Sequence, residues 1–129
     1  METFEELEVW RVARELRKSI SKMTKVFPTD EKFRLANQII RSSRSVPANI
    51  AEGFGRFHFQ ENIQFCRQAR GSLSETLEHL ICALDEKYID EEIFNNHREL
   101  VERCWKVLNG YIAYLKKAAT QAKNNPITQ

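Results

Sequence analysis

From Cys66 to Leu84 one apolar stripe recurs at three- and four-residue spacing: Cys66, Ala69, Leu73, Thr76, Leu77, Leu80, Ile81 and Leu84. That period keeps one face of an α-helix for several turns and does not fit the two-residue alternation of a strand. Two further stripes share it. Trp10, Ala13, Leu16, Ile20 and Met23 lie near the start of the chain; Val101, Cys104, Leu108, Tyr111, Leu115 and Ala118 lie near its end, widened by Trp105 and Ile112. A fourth segment enters through Phe33, Leu35, Ala36, Ile39 and Ile40 and keeps phase through Val46 and Ile50. Only three prolines and four glycines interrupt 129 residues. The pattern predicts an all-α protein, an antiparallel up-down-up-down four-helix bundle over residues 1–122, with no internal repeat and no second domain. The tail KNNPITQ at 123–129 has no periodicity and is expected to be disordered.

Local signals set the expected boundaries. The first helix should run from Glu5 to Lys25, with acids in its first turns and Lys22 and Lys25 in its last, as the helix dipole favours. Phe27-Pro28 ends it, because the residue before proline is pushed out of the helical region. Thr29 or Asp30 is the expected cap of a second helix starting at Glu31, and Gly53 and Gly55 are its expected stop. Phe57-His58-Phe59 turns into the third helix, where Gly71-Ser72 predicts a close helix crossing. Tyr88-Ile89 closes that helix and Asp90 caps the fourth.

The segment RSSRSVPANIAEGFGR at 41–56 is the most unusual. On a helical wheel Arg41, Ser45, Asn49, Glu52 and Arg56 fall within about 80° of one another, opposite Ile39, Ser43, Val46, Ile50 and Gly53. Pro47 sits inside this pattern and removes one backbone bond, to the carbonyl of Ser43, so a kink is expected there; the stripe stays in phase across it. The polar ladder has two readings. In one, Glu52 and Arg56 form a surface pair. In the other, favoured by the small residues around it, the ladder is an inter-helix or inter-subunit network with Asn49 bonding across a contact. Phe54, Phe57, Phe59 and Phe65 fit a staple of the second turn or an interface plug better than a surface for stacking bases.

Net charge is only +2, but it is segregated. Residues 10–25 sum to +5, 32–70 to +5, 75–102 to −7, and 103 onward to +5. A basic and an acidic surface can therefore coexist on a nearly neutral particle. On the first helix Arg11, Arg14, Lys18, Lys22 and Lys25 follow helical spacing and align. They make either a solvated face or a phosphate-binding stripe, which repeated copies in a ring would multiply.

Other chemistry finds no constellation. Cys66, Cys82 and Cys104 are odd in number and unpaired in spacing, and read as buried small hydrophobes. Glu-x-x-His, which a di-metal bundle requires, is absent; His58, His79 and His97 read as exposed or capping, with Glu75 a surface partner for His79. No metal and no cofactor is expected. Nor do Ser72 and Ser74 form a nucleophile elbow, and GFGR at 53–56 is a helix stop instead of a phosphate cradle. No apolar run reaches the roughly 18 residues of a membrane span, and METFEELE is no secretion signal, so a cytoplasmic protein without a membrane partner is expected. Phe65, Trp105 and Tyr114 lie off the main stripes and suggest a second buried face, hence oligomerisation.

The segments FEELEVWRVARELR at 4–17, FPTDEKFRLANQIIRSSRSVPANIAEGFGR at 27–56, FCRQARGSLSETLEHL at 65–80, YIDEEIF at 88–94 and LNGYIAYLKK at 108–117 resemble one family across nearly the whole chain. It is the four-helix-bundle family of large-subunit (23S) ribosomal RNA intervening-sequence proteins. The resemblance implies a homopentamer without enzymatic activity. It also implies likeness to the pentameric accessory proteins of diversity-generating retroelements, which bind a reverse transcriptase and nucleic acid through basic surface. Expected partners are therefore further copies of the chain, RNA or DNA, and a reverse transcriptase. Two positions depart from the family pattern: His58 stands where a serine usually caps the third helix, and Lys87 where a glycine often ends it.

Overall fold

The computed structural model describes residues 2–124. Four long helices carry the fold: α1 (Glu8–Met23), α2 (Leu35–Gly55), α3 (Phe59–Asp85) and α4 (Glu91–Asn124). Short 3-10 turns at Phe4–Glu6, Thr24–Val26 and Thr29–Glu31 complete the described residues, which contain no strand. Each helix packs on its neighbours in sequence and α4 also packs on α1, so the four enclose one core; the contact between α2 and α3 is the most extensive. Leu16, Ile20, Ile39, Ile50, Leu73, Leu80 and Leu108 are wholly buried there. The predicted stripes are thus the inward faces of a four-helix bundle, except that Phe33, expected to lead the second stripe, lies in the turn before α2 and is 83% exposed. Lys123 and Asn124 extend α4 beyond Ala122; the rest of the expected tail, 125–129, lies outside the described residues.

The ends of the helices differ from expectation in ways that have local causes. The first helix is divided: Glu6 takes the N–H groups of Glu2 and Thr3 on its carboxylate, at 3.1 and 3.4 Å, and Leu7 then leaves the helical region with ψ 127°. This extended step puts the Leu7 side chain into the core. The second helix starts at Leu35, not Glu31, and neither Thr29 nor Asp30 caps it. Instead Glu31 accepts the Leu35 N–H at 3.1 Å with one oxygen and the Tyr88 hydroxyl at 3.2 Å with the other. One carboxylate so ties the start of α2 to the turn between α3 and α4.

Pro47 is buried and does not divide α2, and Ser43 donates to the Ile40 carbonyl at 3.1 Å within its own turn. The close crossing expected at Gly71 is at Gly53. A Cβ on Gly53 would lie 2.7 Å from Asn62 Oδ1 and 3.0 Å from Phe65 Cβ, whereas around Gly71 nothing lies within 4 Å. Gly71 points to solvent, and its neighbour Ser72 makes the contact with α2 through its hydroxyl.

No glycine adopts a left-handed conformation; Phe57 (φ 58°) and Lys87 (φ 63°) do. At Lys87 the turn is a complete Schellman motif, Tyr88 N–H to Ala83 C=O at 2.9 Å and Lys87 N–H to Leu84 C=O at 3.0 Å. The lysine therefore accepts the strain a glycine would avoid. His58 precedes α3 in extended conformation without a side-chain cap bond, while Asp90 caps α4 by accepting the Ile93 N–H at 2.8 Å.

Candidate nucleic-acid interface

Burial of Val9, Val12, Ala13, Leu16, Ile20 and Met23 fixes the rotation of α1. The opposite face must then meet solvent, and Arg11, Arg14, Lys18 and Lys22 on it are all exposed, as is Lys25 in the 3-10 turn that continues the helix. Among the described residues none of the five is paired with a carboxylate. Two are held in place by uncharged groups. Arg11 Nε donates to the Glu5 carbonyl at 2.9 Å, and the Arg14 guanidinium lies 5.7 Å from the Trp10 ring centroid, itself edge-on to Phe4 at 5.0 Å. These contacts restrict the two arginines without neutralising them. Glu15, the one acid between Arg11 and Lys25, turns to Arg103 of α4, 3.2 Å from its Nη1. Arg11, Arg14, Glu15 and Lys18 border a shallow depression of about 210 Å³. An extended row of cations whose one interposed carboxylate is engaged by Arg103 is the arrangement that attracts a phosphate backbone.

The polar ladder on α2 is not one unit. Ser45 joins α3, accepting the Ser72 hydroxyl at 2.9 Å. Asn49 bonds within its own helix, its Nδ2 donating to the Ser45 carbonyl and hydroxyl, both at 2.9 Å. Within the chain it therefore does not bond across a contact: Ser45 lies within reach one turn earlier. Glu52 and Arg56 form the surface pair at 2.8 Å, each about half exposed, with the guanidinium also 5.2 Å from the Phe65 ring centroid. Arg41 is exposed, at the edge of a polar groove it shares with Gln38, Ser45, Glu75 and His79.

Of the four phenylalanines, Phe54 and Phe65 are half-buried beside the turn and Phe59 is exposed. Phe57 is 82% exposed, its ring 6.3 Å from that of Phe54. Trp105 is half-buried and Tyr114 exposed, stacked on Tyr111 at 6.3 Å.

Three features escaped the sequence reading. Ser42 bonds Thr76 across α2 and α3 at 2.9 Å, and Thr76 passes its own proton to the Ser72 carbonyl at 2.8 Å; with Ser45 and Ser72 this makes a hydroxyl seam. Its signal was the small polar residues within two apolar stripes. His97 is buried, not exposed or capping. Its Nδ1 faces the Ile93 carbonyl at 2.7 Å and its Nε2 the Ser19 hydroxyl at 2.9 Å, a pairing that requires the packing of α1 on α4. Finally, Lys25 lines a cavity with Lys32, in the turn that leads into α2. Cys66 and Cys104 are buried as expected, and burial pushes both thiols up to about 12. Cys82 is only half-buried; partial burial first, then Glu86, Glu78 and Asp85, raises its thiol. His79 pairs with Glu75 at 3.2 Å, and no group of three metal-ligating side chains occurs among the described residues. No helix among them is long and apolar enough to cross a membrane.

Residues 5–110 match the family model described as 23S rRNA-intervening sequence protein. No curated protein matches the chain.

Proposed function

The chain belongs to the 23S rRNA-intervening sequence protein family, and from that premise we propose that it is a non-enzymatic accessory protein that holds RNA or DNA on the basic face of α1. The observation that carries this reading is the exposed row Arg11, Arg14, Lys18, Lys22 and Lys25, free of carboxylate partners among the described residues. The working form is a homopentamer of up-down-up-down bundles in the cytoplasm, so that five such rows act together. Antiparallel packing is supported by contact order: Ser42 meets Thr76 and Ser45 meets Ser72, while Glu15 meets Arg103 and Ser19 meets His97. In both pairs of helices a later residue on one meets an earlier residue on the other.

Titration of a labelled single-stranded oligonucleotide at several salt concentrations tests the proposal. Five phosphate contacts per chain give a slope of log affinity against log salt of about −3.5, and charge reversal of Arg14 and Lys18 lowers both slope and affinity. Salt-independent binding, or none at low salt, overturns it.

A second reading, a scaffold that docks a protein such as a reverse transcriptase, rests on Phe57. A bulky aromatic held in a left-handed conformation and left 82% exposed displays apolar surface at a conformational cost.

A further inference from the structure

Between the end of α1 and the start of α2 lies a cavity of about 410 Å³, a volume inside the roughly 300–1,000 Å³ range of small-ligand sites. Its buried lining is Phe27, Ala36 and the half-buried Ile40; Lys25 and Lys32 line it from exposed positions. No acid lines it among the described residues. On the connecting turn Glu31 has both oxygens engaged elsewhere, by Leu35 and Tyr88, and its neighbour Asp30 is exposed and does not line the cavity. Ser21 and Thr24 add hydroxyls, the latter donating to the Ser21 carbonyl at 2.8 Å.

An apolar interior beside two unpaired ammonium groups calls for a ligand with a flat apolar body and an attached anion. Lys25 is at the same time the last cation of the α1 row, so a phosphate backbone following that row arrives at the cavity mouth. Beside Lys32, Phe33 is 83% exposed, with the ammonium 5.5 Å from its ring centroid. A ring so displayed offers a face to an adjacent base.

We infer that this cavity receives one unstacked base of a single-stranded nucleic acid, with Lys25 and Lys32 on the flanking phosphates. The inference rests on the reading of α1 as a phosphate track and deepens it: the track ends in a base pocket, so the protein selects flexible strands over duplex. A duplex keeps its bases stacked and cannot supply one without paying for unstacking.

The test compares three fluorescent probes with equal numbers of phosphates: a single strand, the same strand with abasic sites, and a duplex. Wild-type protein is expected to bind the base-bearing strand about tenfold more tightly than the abasic one, with the duplex resembling the abasic strand. Ser21→Phe fills the cavity without changing charge and abolishes that preference while leaving abasic affinity unchanged. Should that variant fold poorly, Thr29→Trp, at an exposed position lining the same cavity, serves the same purpose. Lys18→Glu weakens all three probes alike and so reports on the track alone. Equal wild-type affinity for base-bearing and abasic strands overturns the pocket, as does a preference that survives both filling variants. If no strand binds at low salt the track itself fails; titration with adenosine monophosphate then decides the pocket, with shifts of the Ala36 and Ile40 methyl resonances upholding it and unchanged resonances overturning it.

Discussion

The pair α2–α3 and the pair α1–α4 are built differently from the same helical period. Between α2 and α3 the contact is made by small and hydroxylated residues, with Ser42 on Thr76, Ser45 on Ser72, and Gly53 against Asn62 and Phe65. Between α1 and α4 the polar contacts are a single buried one, Ser19 to His97, and an exposed ion pair, Glu15 to Arg103. The seam has few alternative registers, because sliding α2 along α3 would strand several hydroxyls and drive a side chain into Gly53. The outer face of α1 carries no such constraint. Specificity of folding is concentrated in one seam, and the face proposed to bind nucleic acid is left free to be charged.

Gly53 and Gly71 offer the sharpest test, being the same substitution on the two helices of the seam. Gly53→Ala places a methyl within 2.7 Å of Asn62 Oδ1 and 3.1 Å of the Asn62 carbonyl oxygen. The Asn62 side chain must swing aside and its backbone shift by a few tenths of an ångström, an overpacking cost of about 3 kcal/mol that a helix-propensity gain of about 1 kcal/mol reduces to a net loss of about 2 kcal/mol in unfolding free energy. Gly71→Ala meets nothing within 4 Å, and gains about 1 kcal/mol from helix propensity. Urea denaturation of the two variants measures both. Equal effects would mean that the seam is not where α2 and α3 lock.

Smaller is the effect of Thr76→Val, which keeps the shape and deletes the hydroxyl between Ser42 and the Ser72 carbonyl. Ser42 retains the Ile39 carbonyl at 3.2 Å, so the cost is about 1 kcal/mol instead of that of a stranded donor. The same denaturation experiment reads it. No loss would show that the seam is held by fit alone.

These contrasts mark where the sequence was legible. The faces of all four helices followed from the period, and so did the exposure of Arg11 to Lys25, because burying one side of a helix dictates the other. Continuity of α2 through Pro47 also followed, since its stripe stayed in phase. The choice between Gly53 and Gly71 did not. Either glycine lowers propensity, and which one faces a neighbouring backbone depends on the rotation of two helices about each other. His97 was illegible for a related reason: its Ser19 partner lies 78 residues away. Likewise the cap at Thr29 or Asp30 lost to Glu31 through Tyr88, a contact between elements. In the ladder, periodicity placed five polar groups on one face, but among the described residues only Ser45 hydrogen-bonds to a partner helix.

The smallest expected effect on stability tests the other half of the comparison. Glu15 lies within the basic row, yet its carboxylate is spent on Arg103, with both side chains more than half exposed. Glu15→Gln keeps the size and removes the charge. An exposed pair of this kind contributes at most about 0.5 kcal/mol, so the denaturation midpoint should hardly move. The electrostatics change more. The row loses its only internal anion and Arg103 is released to join it, which should tighten oligonucleotide binding about fivefold at low salt and progressively less as salt is added. Anisotropy titration beside urea denaturation separates the two readouts. A variant that binds more tightly at unchanged stability means that the α1 face is electrostatically tunable and mechanically independent of the seam. A variant destabilised as much as Thr76→Val would instead make the α1–α4 contact a second lock, and the division of labour between the two helix pairs would fall with it.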